Sequence, residues 1–187
     1  MPKVIIFSAP SGSGKSTIIN YLLKCGLGLE FSISATCRPP RGNEEHGIEY
    51  YFLSKDNFEQ LIESKEFIEY EEVYQGCYYG TLRSEIERIS AKGHTAVFDV
   101  DVLGGVNLKQ QFGQDALAIF VAPPSIEALR NRLINRGTDS EEMIAKRVAK
   151  AEYEMSFAPQ FDRIIVNDNL EKTQKQAAIA VREFLNL

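Results

Sequence analysis

The sequence predicts an α/β fold of three layers, a parallel central sheet between helices, carrying a small β-rich insertion and a helical lid. Three observations lead there. Short β-branched runs alternate with helical patterns along the chain, as they do when strands are buried between two layers of helix. The first of these runs passes through a Gly/Ser turn directly into a helix. Two stretches, one from Arg38 onward and one from Ser125 to Phe157, break the alternation with patterns of their own.

Taken in order, Lys3-Val4-Ile5-Ile6-Phe7 is apolar on both faces after its first residue, which suits a buried parallel strand. Ser16 to Leu23 then reads as a helix. Arg38 to Asn43 is rich in Pro, Gly and Arg and predicts a stiff loop. Beyond it, aromatic segments such as Glu49-Tyr50-Tyr51-Phe52 and Phe67-Ile68-Glu69-Tyr70 alternate with turns and predict a β-rich unit. Ala96 to Val100, Ala116 to Val121 and Arg163 to Val166 are further buried strands. Ser125, after Pro123-Pro124, is an N-cap for a helix that Gly137 ends. Thr138-Asp139-Ser140-Glu141 matches a capping box and predicts a second helix, so that an arginine-rich helical hairpin can serve as a lid. Leu170 to Leu187 is the last helix.

The bulk numbers exclude several classes. A length of 187 residues suits a single domain, and 44% hydrophobic with 25% charged residues is ordinary for a globular protein. No apolar run approaches the roughly 20 residues of a membrane span, and Met1 to Phe7 is too short for a signal peptide, so the expected location is cytoplasmic. Cys25, Cys37 and Cys77 form no CxxC pair and predict neither a zinc site nor a disulfide framework. His46 and His94 fall in turns and read as surface residues. A net charge of -5 argues against general binding to nucleic acid. Any anionic ligand therefore needs cations gathered locally.

Ala9-Pro10-Ser11-Gly12-Ser13-Gly14-Lys15-Ser16, followed by Thr17, fits the P-loop pattern G-x-x-x-x-G-K-[ST] except at its first position. Gly12 and Gly14 allow the backbone to curl so that successive N–H groups point at phosphate oxygens. The following helix adds its positive end. Lys15 neutralises β- and γ-phosphate charge, and the Ser16 hydroxyl can reach Mg²⁺. Ala9 requires a first turn without positive φ. A plain strand-to-helix turn is the alternative, but the context of buried strand, loop and helix is the one nucleotide binding demands.

The loop has company. Ser34-Ala35-Thr36-Cys37-Arg38-Pro39-Pro40-Arg41, Gly47-Ile48-Glu49-Tyr50 and Tyr78-Tyr79-Gly80-Thr81 follow in order, then Asp99-Val100-Asp101, Arg136-Gly137-Thr138 and Ile165-Val166-Asn167-Asp168. Over essentially its whole length the chain resembles the guanylate kinase family, which phosphorylates GMP with ATP. The resemblance implies a P-loop fold with a core of residues 1–33, 84–125 and 158–187, a GMP-binding subdomain at 34–83 and a lid at 126–157. It implies that Arg38, Arg41, Tyr50 and Tyr79 hold the GMP phosphate, that Ser34, Glu69 and Thr81 read guanine, and that Asp99 lies close by. It places Arg132, Arg136 and Arg147 around the ATP phosphates and the transferred group, and makes these, with Lys15, Arg38 and Arg41, the catalytic cations. The implied ligands are ATP with Mg²⁺, held by Ser16, and GMP, with dGMP open as a second acceptor and no membrane or nucleic-acid partner. Oligomeric state is not implied. Cys37, Cys77 and Val102-Leu103 depart from common family residues without removing any of these groups.

Local chemistry is compatible with that assignment and leaves alternatives open. Arg38 and Arg41 sit in a Pro-restricted loop, and an Arg fork matches two phosphate oxygens; the bland reading is a solvated turn. Arg132 and Arg136 share a helix face at i and i+4. Arg147 borders an apolar stripe of Ile144, Val148 and Ala151, where a salt bridge to a nearby Glu is the simpler local reading. Glu69 is one of several carboxylates in its strand, and alternation alone does not choose it over Glu71. A carboxylate does match the N1–H and N2–H donors of guanine and mismatches adenine. Asp99 and Asp101 end a strand, where α/β sheets place ligands. Beside an active guanylate kinase stand two other readings, a peptide-binding scaffold domain and a kinase for another nucleoside monophosphate.

Overall fold

In a computed structural model that describes residues 2–137 and 140–187, with the side chains of all of these but Tyr74 and Arg136, the chain forms two sheets and seven helices among the described residues. The central sheet joins β1 (Val4–Ser8), β2 (Leu29–Phe31), β7 (Thr95–Asp99), β8 (Ala116–Ala122) and β9 (Arg163–Val166) in the order β2-β7-β1-β8-β9. All its pairings are parallel. The strands β1 and β8 are buried at every position, which explains why they read as unbroken apolar runs rather than alternating ones. The short edge strand β2 has no such run, and the sequence reading did not include it.

Each face of the sheet carries its own core. On one, Ile6, Phe98 and Phe120 pack against α3 (Arg83–Ala91) and α4 (Val102–Phe112), with Phe161 closing the end. On the other, Ile5, Phe7, Ile119 and Ile165 pack against α1 (Lys15–Leu23) and α7 (Leu170–Leu185). These are the three expected layers.

The insertion is a mixed four-stranded sheet of order β4-β3-β6-β5, built from β3 (Ala35–Thr36), β4 (Tyr51–Phe52), β5 (Phe67–Tyr74) and β6 (Cys77–Leu82). It also contains a helix, α2 (Lys55–Glu63), which a purely β reading of this stretch omitted. Its signals were present: the Ser54 side chain accepts from Asn57 N, and Phe58, Leu61 and Ile62 follow at helical spacing. Phe58 is fully buried and stacks on Phe67 at 4.3 Å and on Tyr78 at 5.5 Å.

The helical hairpin consists of α5 (Ile126–Arg136) and α6 (Glu141–Met155), joined through Leu129, Leu133, Ile144 and Ala151. Ser125 caps α5 by accepting from Ala128 N, and Gly137 ends it at φ 66°. The expected capping box is corrected. The cap of α6 is Ser140, accepting from Met143 N, two residues beyond Thr138. A serine directly before Glu141 and Glu142 competes better for the N-cap, since both acids then lie in the first turn of the helix. Thr138 and Asp139 themselves lie outside the described residues.

The stack around Phe58 is what attaches α2 to its sheet. Phe58→Ala is expected to destabilise the protein by about 3–5 kcal/mol, measured as a lower midpoint in urea unfolding; a midpoint within error of the parent would refute this account of the insertion's core.

Candidate active site

The β1–β7 register sets Phe7 beside Asp99, so the carboxyl ends of both strands open at the same point. From β1 the chain enters the glycine-rich loop. Gly12 and Gly14 adopt φ of 93° and 90°, the left-handed region, whereas Ala9 is not among the residues at positive φ. The departure at the first loop position is therefore accommodated without strain. Ser13 N donates to Pro10 O at 3.0 Å and tightens the turn. Buried Asn167, at the end of β9, clamps it from outside by donating Nδ2 to Ser13 O at 2.7 Å.

Lys15 reaches from the start of α1 to the end of β7. Its Nζ lies 2.5 Å from Asp99 Oδ1 and donates to Val100 O at 2.9 Å. Ser16 Oγ stands 3.4 Å from Asp99 Oδ2. The hairpin supplies cations from the other side. Arg132 donates to Asn167 O at 2.7 Å, and Arg147 donates to Ser11 Oγ at 2.6 Å. Arg147 thus reaches the glycine loop. The side chain of Arg136 lies outside the described residues. A cavity of about 390 Å³ runs along the loop from Ala9 through Ser11 and Gly14 to Thr17, and Asp99, Asp101 and Glu154 close it.

A second cavity, of about 290 Å³, lies between the two sheets. Ser34, Arg41, Tyr50, Glu69, Tyr79 and Asp99 line it, so most of the predicted acceptor set converges. Thr81 stands behind, buried, and donates to Glu69 Oε1 at 2.8 Å. Arg38 does not line the cavity. Its guanidinium is held by both carboxylate oxygens of Glu44, at 2.6 and 2.8 Å, and lies 4.9 Å from the centre of the Tyr50 ring. Its Nε donates to the Tyr79 hydroxyl at 2.9 Å. Hydrogen bonds from Arg38 and from Arg41 N hold Glu44 down at a pKa of about 2.

The acceptor cavity is also rich in carboxyl groups. Burial pushes Glu69 up to about 7; the hydrogen bond from Thr81 opposes this and the charge of Asp101 adds to it. Glu71, on the same face, is raised to about 7 by burial and by its hydrogen bond with Asp101. Asp101 caps α4 by accepting from Gly104 N at 2.8 Å. Sequence reasoning left Glu71, Lys150 and Glu154 unassigned. Lys150 lines this cavity and Glu154 the other, with Lys150 Nζ 3.6 Å from Glu154 Oε1. Their spacing from Arg147, at i+3 and i+7, puts all three on one helix face and was the available signal. His46 and His94 are exposed, and all three cysteines are free. Among the described residues no helix is long and apolar enough to cross a membrane.

Asp99, Val100 and Asp101 line both cavities, so the two, one on a glycine loop and one with arginine, tyrosines and a buried glutamate, meet at the end of β7. Comparison with known proteins agrees with the resemblance in the sequence. The family model described as guanylate kinase matches residues 1–184. A guanylate kinase of Bacteroides fragilis is 60% identical over 99% of this chain and 91% of that protein. One of Bacteroides thetaiotaomicron is 62% identical over 98% of this chain and 90% of that protein. The crystal structure of guanylate kinase from Anaplasma phagocytophilum superposes with a TM-score of 0.76 at 29% identity, covering 97% of this chain and 85% of that one. A loop, a junction of two cavities and a match that runs nearly from end to end converge on one conclusion: this chain belongs to the guanylate kinase family.

Proposed function

We propose that the protein transfers the γ-phosphoryl group of MgATP to GMP, giving ADP and GDP, as a nucleoside monophosphate kinase that returns GMP to the diphosphate pool of the cytoplasm. The observation that carries this reading is the meeting of the two cavities at Asp99, Val100 and Asp101, since in-line transfer needs donor and acceptor phosphates end to end.

In this reading the loop 9–17 holds the ATP phosphates with its backbone N–H groups and Lys15. Residues 126–157 form the lid, with Arg132, Arg136 and Arg147 as its cations. Residues 34–83 hold GMP, with Arg41, Tyr50 and Tyr79 on its phosphate. Arg38 orders both tyrosines from behind and shares in phosphate binding as the family resemblance implies. Ser34, Glu69 and Thr81 read the base. The Ser16 hydroxyl and Asp99 carboxylate, 3.4 Å apart, are hard oxygen donors of the kind Mg²⁺ keeps alongside several waters. When bound there, Mg²⁺ supplies neutralisation of charge between the β- and γ-phosphates. The protein's own work is positional. It aligns two polyanions, covers them with arginine, and keeps water out once the lid lies over them.

The direct test is ADP release from MgATP with GMP, AMP, CMP or UMP as acceptor. GMP is expected to exceed AMP by about 10⁴-fold in kcat/KM, because AMP leaves the buried carboxylate mispaired; equal use of AMP would overturn the reading of the base site, and no turnover with GMP the reading of the enzyme.

Lys15→Met and Arg147→Ala are each expected to leave a folded protein whose turnover falls by about 10³-fold or more. Circular dichroism and steady-state kinetics together check this. A folded variant with near-normal kcat removes that residue from the mechanism.

The raised pKa of Glu69 gives a pH test. Guanine donors need the ionised carboxylate, so protonation weakens GMP. With a pKa of about 7, GMP affinity is expected to fall about tenfold from pH 8 to pH 6 by calorimetry. Glu69→Gln should bind GMP weakly at both values and lose this part of the slope, while the titration of the GMP phosphate affects both proteins alike. A slope unchanged by Glu69→Gln would assign the titration elsewhere.

A further inference from the structure

Helix α4 carries two consecutive glycines in its first turn, Gly104 and Gly105, and neither adopts positive φ. Glycine inside a helix is less stable than alanine, so each needs a reason. Gly105 has one in packing. A Cβ there would lie 3.0 and 3.1 Å from Phe161 Cζ and Cε1, so the buried ring would have to shift to admit it.

Gly104 has no such reason. A Cβ there would meet Asp101 Oδ1 and Glu69 Oε2 at 3.4 Å and Val100 Cβ at 3.5 Å, all ordinary contacts. The protein itself has space for alanine at this position, and helix propensity favours it. What an added methyl would occupy is the acceptor cavity, which Gly104 lines together with Glu69 and Asp101. Thr81 holds Glu69 by Oε1, so the methyl would stand beside the other oxygen, Oε2.

We propose that the missing side chain of Gly104 is a specificity determinant of the acceptor site: the bare Cα leaves the wall beside Glu69 open for the donor edge of the guanine base. This rests on the reading of the cavity as the GMP site. The helix gives up stability at Gly104 to keep that wall clear. Gly104 differs in this from Gly105, which the core requires.

The experiment pairs Gly104→Ala with Gly105→Ala and measures Tm, Kd for ATP and Kd for GMP. Gly104→Ala is expected to raise Tm by about 2–4 °C, to leave ATP binding unchanged, and to weaken GMP by about tenfold or more, the order of effect one carbon has in a tight site. Gly105→Ala should lower Tm. A stabilised Gly104→Ala protein with unaltered GMP affinity overturns the inference, and so does a lower Tm for Gly104→Ala, which would make the glycine a packing residue. Failure of the parent protein to bind GMP is a separate outcome that strikes the proposed function instead.

Discussion

Two polyanions can be brought together only by positive charge fixed in place, and in a chain of net charge -5 those cations would be attracted to the wrong partners if left mobile. The structure meets this constraint by seating its cations on its own carboxylates and backbone oxygens. Lys15 sits on Asp99 and Val100 O, Arg38 on Glu44, and Arg132 on Asn167 O. A positioned cation loses less conformational freedom when a phosphate arrives, because its side chain is already ordered. The partners also explain the placement of acids that at first look out of place beside phosphate sites. Glu44 is bonded by both Arg38 and the Arg41 backbone, so one carboxylate shapes the whole Pro-rich loop.

The acceptor cavity uses the opposite device. There burial makes the charge of Glu69 and Glu71 costly, and the nearby charge of Asp101 adds to that cost. A base that donates hydrogen bonds relieves that cost, and a base that presents an acceptor does not. In the proposed reading, selectivity arises from the same burial that raises the pKa of Glu69. Its position is set by the sheet: Glu69 pairs with Thr81 across β5 and β6, and the neighbouring Gly80 lets the strands approach so closely that a Cβ there would lie 2.7 Å from Glu69 O.

The central sheet was legible in the sequence because strands buried on both faces leave continuous apolar runs, and β1, β7 and β8 each did; β9, also expected as a buried strand, is instead an edge strand in which only Ile165 is buried, because no further strand or layer covers Ile164 and Val166. The edge strand β2 left no run, and α2 was hidden among aromatic residues that favour strands. At the site, the glycine loop could be read from residue types alone because its chemistry is local. Arg41, Tyr50, Glu69 and Tyr79 could be gathered only through family resemblance, since what unites them is the pairing of strands within the insertion, which sets β5 and β6 beside the segment between β3 and β4. Glu71 stood only as the alternative to Glu69 on its strand, and Lys150 was not assigned. They come from a strand and a helix distant in sequence, and no local pattern states that β5 and α6 face the same space.

The glycine loop shows why local chemistry is not the whole of a motif. Gly12 and Gly14 are required by positive φ, yet each is required a second time by what lies above it. A Cβ on Gly12 would meet Leu129 and Leu133 of α5 at 3.1 Å, and one on Gly14 would stand 2.5 Å from Asn167 Nδ2. The first contact seats α5 directly on the loop, and the second ties the loop to the end of β9. With Arg147 bonded to Ser11, the loop touches both helices of the hairpin and the far side of the sheet at once. The loop is thereby packed against the elements that carry Arg132 and Arg147. Positive φ explains how this backbone curls; the closeness of Leu129, Leu133 and Asn167 explains why no side chain fits at Gly12 or Gly14 without displacing a neighbour, whatever the backbone angle.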